Sequence, residues 1–176
     1  MQKVKLPVEV EAFRAAKRRL DYHGILPKGQ MLRLAQATSA VNIDANAWIR
    51  FDIDSQGLSV MTGTASTEVT LVCQRCREEF VLPLNVEFQY SPVTDKQPME
   101  ELPEAYEPLE LDENSEFNLH EVLEDEFLIA LPLIAMHSID ECKVQEQVQT
   151  FGKLATQEES TQSNPFAILQ SLKKDN

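Results

Sequence analysis

The sequence predicts an α+β fold: an antiparallel meander sheet or partly closed barrel, with an N-terminal helix, a helix in the C-terminal half and a flexible acidic excursion. Three observations predict it. Three central segments alternate apolar and polar residues with a period of two. Turn-forming residues separate them, and segments of helical spacing flank them on both sides. The 176 residues divide into one α+β domain over 1–142, a polar linker over 143–163 and a short C-terminal helix over 164–174.

Glu9 to Tyr22 reads as the first helix. Val10, Phe13, Ala16 or Lys17, and Leu20 recur at helical spacing, and Gly24 is placed to stop it. Arg14, Lys17 and Arg18 line another face. Cations near a helix C-terminus complement its dipole, so the cluster is read as a dipole partner or as a phosphate-binding patch. A short helix is expected around Lys28–Gln36.

The middle is strand. Ile49, Phe51 and Ile53 alternate with Arg50, Asp52 and Asp54, and Ser55-Gln56-Gly57 makes a turn. The next strand runs from Leu58 to Cys73, with Ala65, Thr67, Val69, Leu71 and Cys73 on one face and a bulge or bend expected at Gly63. In the third, Phe80, Leu82, Leu84, Val86, Phe88 and Tyr90 share a side, and Pro83 opposite them implies a free edge. From Ser91 to Glu116 four prolines and many acids predict an irregular surface excursion. Asn118 and Glu121 then form a capping box for a helix that buries Leu119, Val122, Leu123, Phe127 and Ala130 and ends by Pro132. Residues 143–163 are rich in Gln, Glu, Thr and Ser with little to bury. Asn164 and Pro165 open the last helix, which places Phe166, Leu169 and Leu172 on one side.

Composition bounds the function. Hydrophobic residues at 43% and charged ones at 26% exclude wholesale disorder. The lysines at the start are followed by no apolar stretch, and the longest apolar run, Phe127–Met136, is half a membrane span and holds Pro132. A cytoplasmic protein with reduced cysteines and no membrane partner is expected. The net charge of −13 is unevenly spread. Residues 1–35 carry +5, while 95–126 hold thirteen acids against Lys96. Such a chain repels RNA except at its N-terminal face and attracts basic proteins at its acidic belt.

Cys73-Gln74-Arg75-Cys76 sits at the tip between the two longest strands. Three readings stand side by side. The pair supplies half of a tetrahedral zinc site, with His137 and Cys142 as the other half. It is a redox dithiol, although such pairs sit at helix N-termini rather than in strand hairpins. Or it is structural, with Cys73 continuing the inward face of its strand. Arg75, at the tip, contacts phosphate or is simply solvated. The five glycines make no phosphate loop, the three histidines have no fixed partner, and no catalytic or small-molecule site is expected.

With this motif, the opening Met1-Gln2-Lys3-Val4-Lys5-Leu6-Pro7, the segments Arg18–Tyr22 and Leu102–Pro108, and the endings Glu124-Asp125-Glu126, Ala130-Leu131-Pro132 and Asn164-Pro165-Phe166-Ala167 are together similar to the YceD family of large ribosomal RNA subunit accumulation proteins. The resemblance implies ribosome biogenesis: a non-catalytic role in synthesis, processing or stability of 23S rRNA, with no established enzymatic activity. The partner is then ribosomal RNA or its precursor, a basic large-subunit ribosomal protein, or both. Arg14, Lys17, Arg18, Arg19 and Arg75 are the contact candidates, and Cys73, Cys76, His137 and Cys142 the metal candidates. Many relatives carry further cysteines after the segment equivalent to Ala130-Leu131-Pro132, where this chain keeps only His137 and Cys142.

Overall fold

The computed structural model describes residues 5–94 and 102–144. The chain divides into a unit over 1–138 and a shorter one from Ile139 onward. The expected polar linker from residue 145 on, and the expected C-terminal helix, lie outside the described residues.

The first unit opens with β1 (Glu9–Glu11), α1 (Ala12–Arg18) and β2 (Asp21–Leu26). A 3₁₀ turn at Lys28–Gln30 leads to α2 (Leu32–Ala37), β3 (Ala40–Val41) and β4 (Ala45–Ile53). The long hairpin is β5 (Ser59–Val72) and β6 (Glu79–Pro92), followed by β7 (Glu107–Leu109), β8 (Glu116–Asn118) and α3 (Leu119–Ile129). The main sheet runs β2-β4-β5-β6-β7, with β3 paired to β5. Its pairings are antiparallel except β6 with β7, so the sheet is mixed, and it is open rather than closed into a barrel.

The alternation seen in the sequence becomes a two-faced sheet. Ala47, Ile49 and Phe51 of β4, Ala65, Thr67 and Val69 of β5, and Leu84, Val86 and Phe88 of β6 are buried. α1 packs against β4 and β5, α3 against β6, and α2 against α3. Ile53, expected inside, is 40% exposed at the strand end. The outward face carries Asn46, Trp48, Arg50, Thr64, Asn85 and Glu87, all exposed.

Four expectations are corrected. The helix read over Glu9–Tyr22 is only seven residues long. Its ends are claimed by strand partners remote in sequence: Glu9–Glu11 pairs with Glu116–Asn118, and β2 pairs with β4. Within it the buried residues are Ala12, Ala15 and Ala16, small enough for close packing on the sheet, while Lys17 is exposed. Arg19 ends the helix in the left-handed region at φ 53°. Gly63 marks no bulge, since the ladder runs unbroken from Ile49 through Gly63 to Phe88. A Cβ there would lie 2.5 Å from the Phe88 ring and 2.9 Å from the Trp48 carbonyl oxygen, so glycine makes room for an aromatic. The acidic excursion is less irregular than expected: β6 extends to Pro92, and β7 returns along it with Leu109 buried. Ala130, expected in the buried stripe of the last helix, is its exposed C-cap.

That helix starts as read. The Asn118 side chain accepts from the N–H groups of His120 and Glu121, and its amide donates to Glu121 Oε1 at 3.0 Å. Leu119, Leu123 and Phe127 enter the core, and so does Glu124. The Glu124 carboxylate accepts from the Leu34 N–H at 2.9 Å and from Arg33 Nε at 3.1 Å, tying α2 to α3. Arg33, although exposed, is thereby engaged in ion pairs with Glu124 and Asp125 that brace α2 to α3 rather than being a free surface cation. No helix among the described residues is long and apolar enough to cross a membrane.

Candidate functional site

The hairpin joining β5 to β6 turns through Cys73–Glu78. The Cys73 N–H donates to the Glu78 carbonyl and the Arg77 N–H to the Cys73 carbonyl, each at 2.8 Å, with Arg77 left-handed at φ 66°. After α3 the chain comes back to this tip. The Gln74 N–H donates to the Ala135 carbonyl at 2.8 Å, and the Arg75 guanidinium donates to the His137 carbonyl at 2.9 Å. The imidazole of His137 packs edge-on against Phe80, 5.6 Å between centroids. Backbone hydrogen bonds and an aromatic contact thus hold two segments that are 61 residues apart.

Cys73, Cys76 and His137 meet there, their ligand atoms within 4.8 Å of one another. Cys76 Sγ lies 3.1 Å from His137 Nε2, and His137 Nδ1 lies 3.1 Å from the Ser138 carbonyl. A carbonyl can only accept, so it holds the proton on Nδ1 and turns the Nε2 lone pair toward the sulfur. Burial pushes the Cys73 thiol up. The N–H groups of Cys76, Arg75 and His137 and the Cys76 side chain outweigh it and bring the thiol down to about 6. No disulfide joins the cysteines.

These features fit a zinc ion. In a tetrahedral site with Zn–S about 2.3 Å and Zn–N about 2.0 Å, neighbouring ligand atoms stand roughly 3.5 Å apart. A thiolate-stabilised Cys73, a nearby Cys76 and an Nε2 lone pair with its second nitrogen anchored supply three such donors. Cys142, the fourth candidate, belongs to the second unit, where its N–H donates to the Ile139 carbonyl at 3.1 Å.

The basic candidates separate into three groups. Arg14, Lys17 and Arg18 are exposed on α1 and form no ion pair with another described residue. Arg19, next along the chain, pairs with Asp52 at 3.1 Å, and Arg50 pairs with the same carboxylate at 3.3 Å. Arg75 turns inward to the His137 carbonyl, and its buried Nε has no acceptor among the described residues.

Two features escaped the sequence reading. One is a groove of about 650 Å³ beside β7 and α3, with Glu107, Glu110, Asp112, Glu116, Glu121 and Asp125 on its walls. The acids were plain to see, but their convergence depends on the β6–β7 pairing. The other is Trp48, the single tryptophan, which is 42% exposed. Its signal was available: it stands between Asn46 and Arg50 in the polar register of an otherwise alternating strand.

Residues 61–173 match the family model described as large ribosomal RNA subunit accumulation protein YceD. The chain is also similar to the large ribosomal RNA subunit accumulation protein YceD of Haemophilus influenzae, 45% identical over 174 residues and covering 99% of each chain. No solved structure matches. With the cysteine tip, the returning histidine and the N-terminal segments all inside these matches, the chain belongs to the YceD family of large ribosomal RNA subunit accumulation proteins.

Proposed function

We propose that this protein is a non-catalytic ribosome-biogenesis factor that supports accumulation of large-subunit ribosomal RNA through synthesis, processing or stability of 23S rRNA. The observation that carries this reading is the 45% identity to a protein of that name across 99% of both chains. The exposed cations Arg14, Lys17 and Arg18 support a face that tolerates a polyanion on an otherwise acidic molecule. The test is depletion in cells: mature 23S rRNA should fall relative to 16S. Unchanged rRNA ratios and subunit profiles would reject it.

A second reading has its own observation. The groove walled by six carboxylates favours an adaptor for a basic large-subunit ribosomal protein. Co-purification at moderate salt separates the two. Nuclease-sensitive association with rRNA supports the first, and a ribosomal protein retained after nuclease supports the second.

The cysteine tip is read as a structural zinc knuckle rather than a redox centre. Cys73, Cys76 and His137 would hold the ion. Bound there, zinc supplies cross-linking of the hairpin to the segment after α3, not chemistry.

A further inference from the structure

The outward face of the main sheet has an organisation that neither the cysteine tip nor the acidic groove uses. Cross-strand register sets its side chains in rows. One row is His23, Trp48, Thr64 and Glu87. The next is Ile25, Asn46, Ser66 and Asn85, and on the other side runs Asp21, Arg50, Thr62 and Gln89. Trp48 therefore stands amid hydroxyl, amide, imidazole and carboxylate side chains rather than an apolar patch. Two cavities, of about 540 and 440 Å³, are both lined by it, so solvent reaches the indole from either side.

We propose that this face is a stacking platform for unpaired bases of RNA, centred on Trp48 in the cavity shared with His23, Asn46, Thr64, Ser66 and Asn85. The inference rests on the RNA reading above and deepens it by naming the site and the strandedness of the RNA. Three features select this occupant. An exposed indole offers a π-face to any base, and amides and hydroxyls around it can bond to base edges. A protein partner docking on an exposed aromatic would want apolar neighbours, and these rows offer only the half-buried Ile25. Arg50, two residues along β4 from Trp48 on the side away from Asn46, adds a cation at the edge of the platform, where it shares Asp52 with Arg19. Glu87 lines both cavities, and the second adds Glu104 and Glu107, so a phosphate backbone is repelled more strongly there. A strand of RNA is thus directed to the His23 side.

The single tryptophan makes the test direct. Full-length protein is titrated with a mixed-sequence single-stranded RNA about 12 nucleotides long and with the duplex of the same sequence, following indole fluorescence. Labelled-RNA anisotropy is measured in parallel for the wild type, Trp48→Ala and Trp48→Phe. Single-stranded RNA should quench Trp48, and the duplex should not. Trp48→Ala should weaken binding about tenfold or more, while Trp48→Phe keeps most of the affinity. Circular dichroism confirms that the variants are folded, as expected for a solvent-face position. RNA binding with no quench and no loss in Trp48→Ala overturns the platform and leaves the biogenesis reading standing. Absence of RNA binding at all overturns the platform too, while depletion of the protein tests the biogenesis reading separately.

Discussion

The two ends of the β5–β6 hairpin solve the same problem in opposite ways. Each buries polar groups where the strands meet a segment from the other half of the unit. At the Cys73 end the groups are surrounded by donors: backbone N–H groups converge on the sulfur, and His137 is pinned by its own neighbouring carbonyl. At the Tyr90 end a buried Glu126 carboxyl takes a hydrogen bond from the Tyr90 hydroxyl, with Glu107 and Asp125 adding negative charge nearby. One end favours an anion and so can hold a cation. The other penalises an anion and so favours a proton. The same two strands carry both environments because hairpin geometry fixes the distance between ends, while the segments packed on each end set the local field.

The comparison can be broken most severely at the cysteine end. Stripping metal with a chelator, or Cys73→Ser, should lower Tm by about 10 °C or more if the knuckle is metal-held, and metal analysis of pure protein should find close to one zinc per chain. An equal Tm with and without chelator, and no zinc, would reduce that end to a hydrogen-bonded turn. Midway along the hairpin, Gly63→Ala forces a methyl into the Phe88 ring and the Trp48 carbonyl, and denaturant unfolding should show a loss of about 3 kcal/mol. At the acidic end Tyr90→Phe leaves Glu126 without its donor, with an expected cost of ~1–2 kcal/mol by the same measurement.

The smallest effect concerns pH. Burial raises the Glu126 carboxyl above its ordinary 4.5, Tyr90 opposes this, and Glu107 and Asp125 add to it. A raised value in the folded state means that the folded protein binds the proton more tightly than the unfolded chain. That contribution is full below the unfolded value and is lost as pH rises through the folded one. Glu126→Gln should therefore remove part of the fall in Tm above pH 4.5, and make the protein slightly more stable at neutral pH, by less than about 1 kcal/mol. If the wild type and the variant show parallel pH curves, the carboxyl is not held as described.

Period-two alternation sufficed to read β4, β5 and β6 because one face of each must leave water, and that requirement is local. Asn118 and Glu121 sufficed for the start of α3, since a cap satisfies backbone donors within one turn. The first helix could not be bounded in this way. Val10, Phe13 and Leu20 satisfy a helical period, yet hydrogen-bonding partners more than twenty residues away convert both ends into strand. The grouping of Cys73 and Cys76 with His137 was legible for a different reason: cysteine and histidine are few, so elimination works even across 61 residues. The exposed tryptophan was not singled out, because one large residue in a polar register looks like noise until the neighbouring rows are known.

By itself the sequence determined which faces are buried, where the hairpin turns, and which thiols and imidazole were available to meet. The tertiary structure alone decided the close of His137 on Cys76, the brace from Arg33 to Glu124, the convergence of six carboxylates on one groove and the open surroundings of Trp48. The reason is physical. Burial patterns are written in short-range periodicity, whereas proximity between distant side chains depends on strand register and on the packing of helices against the sheet.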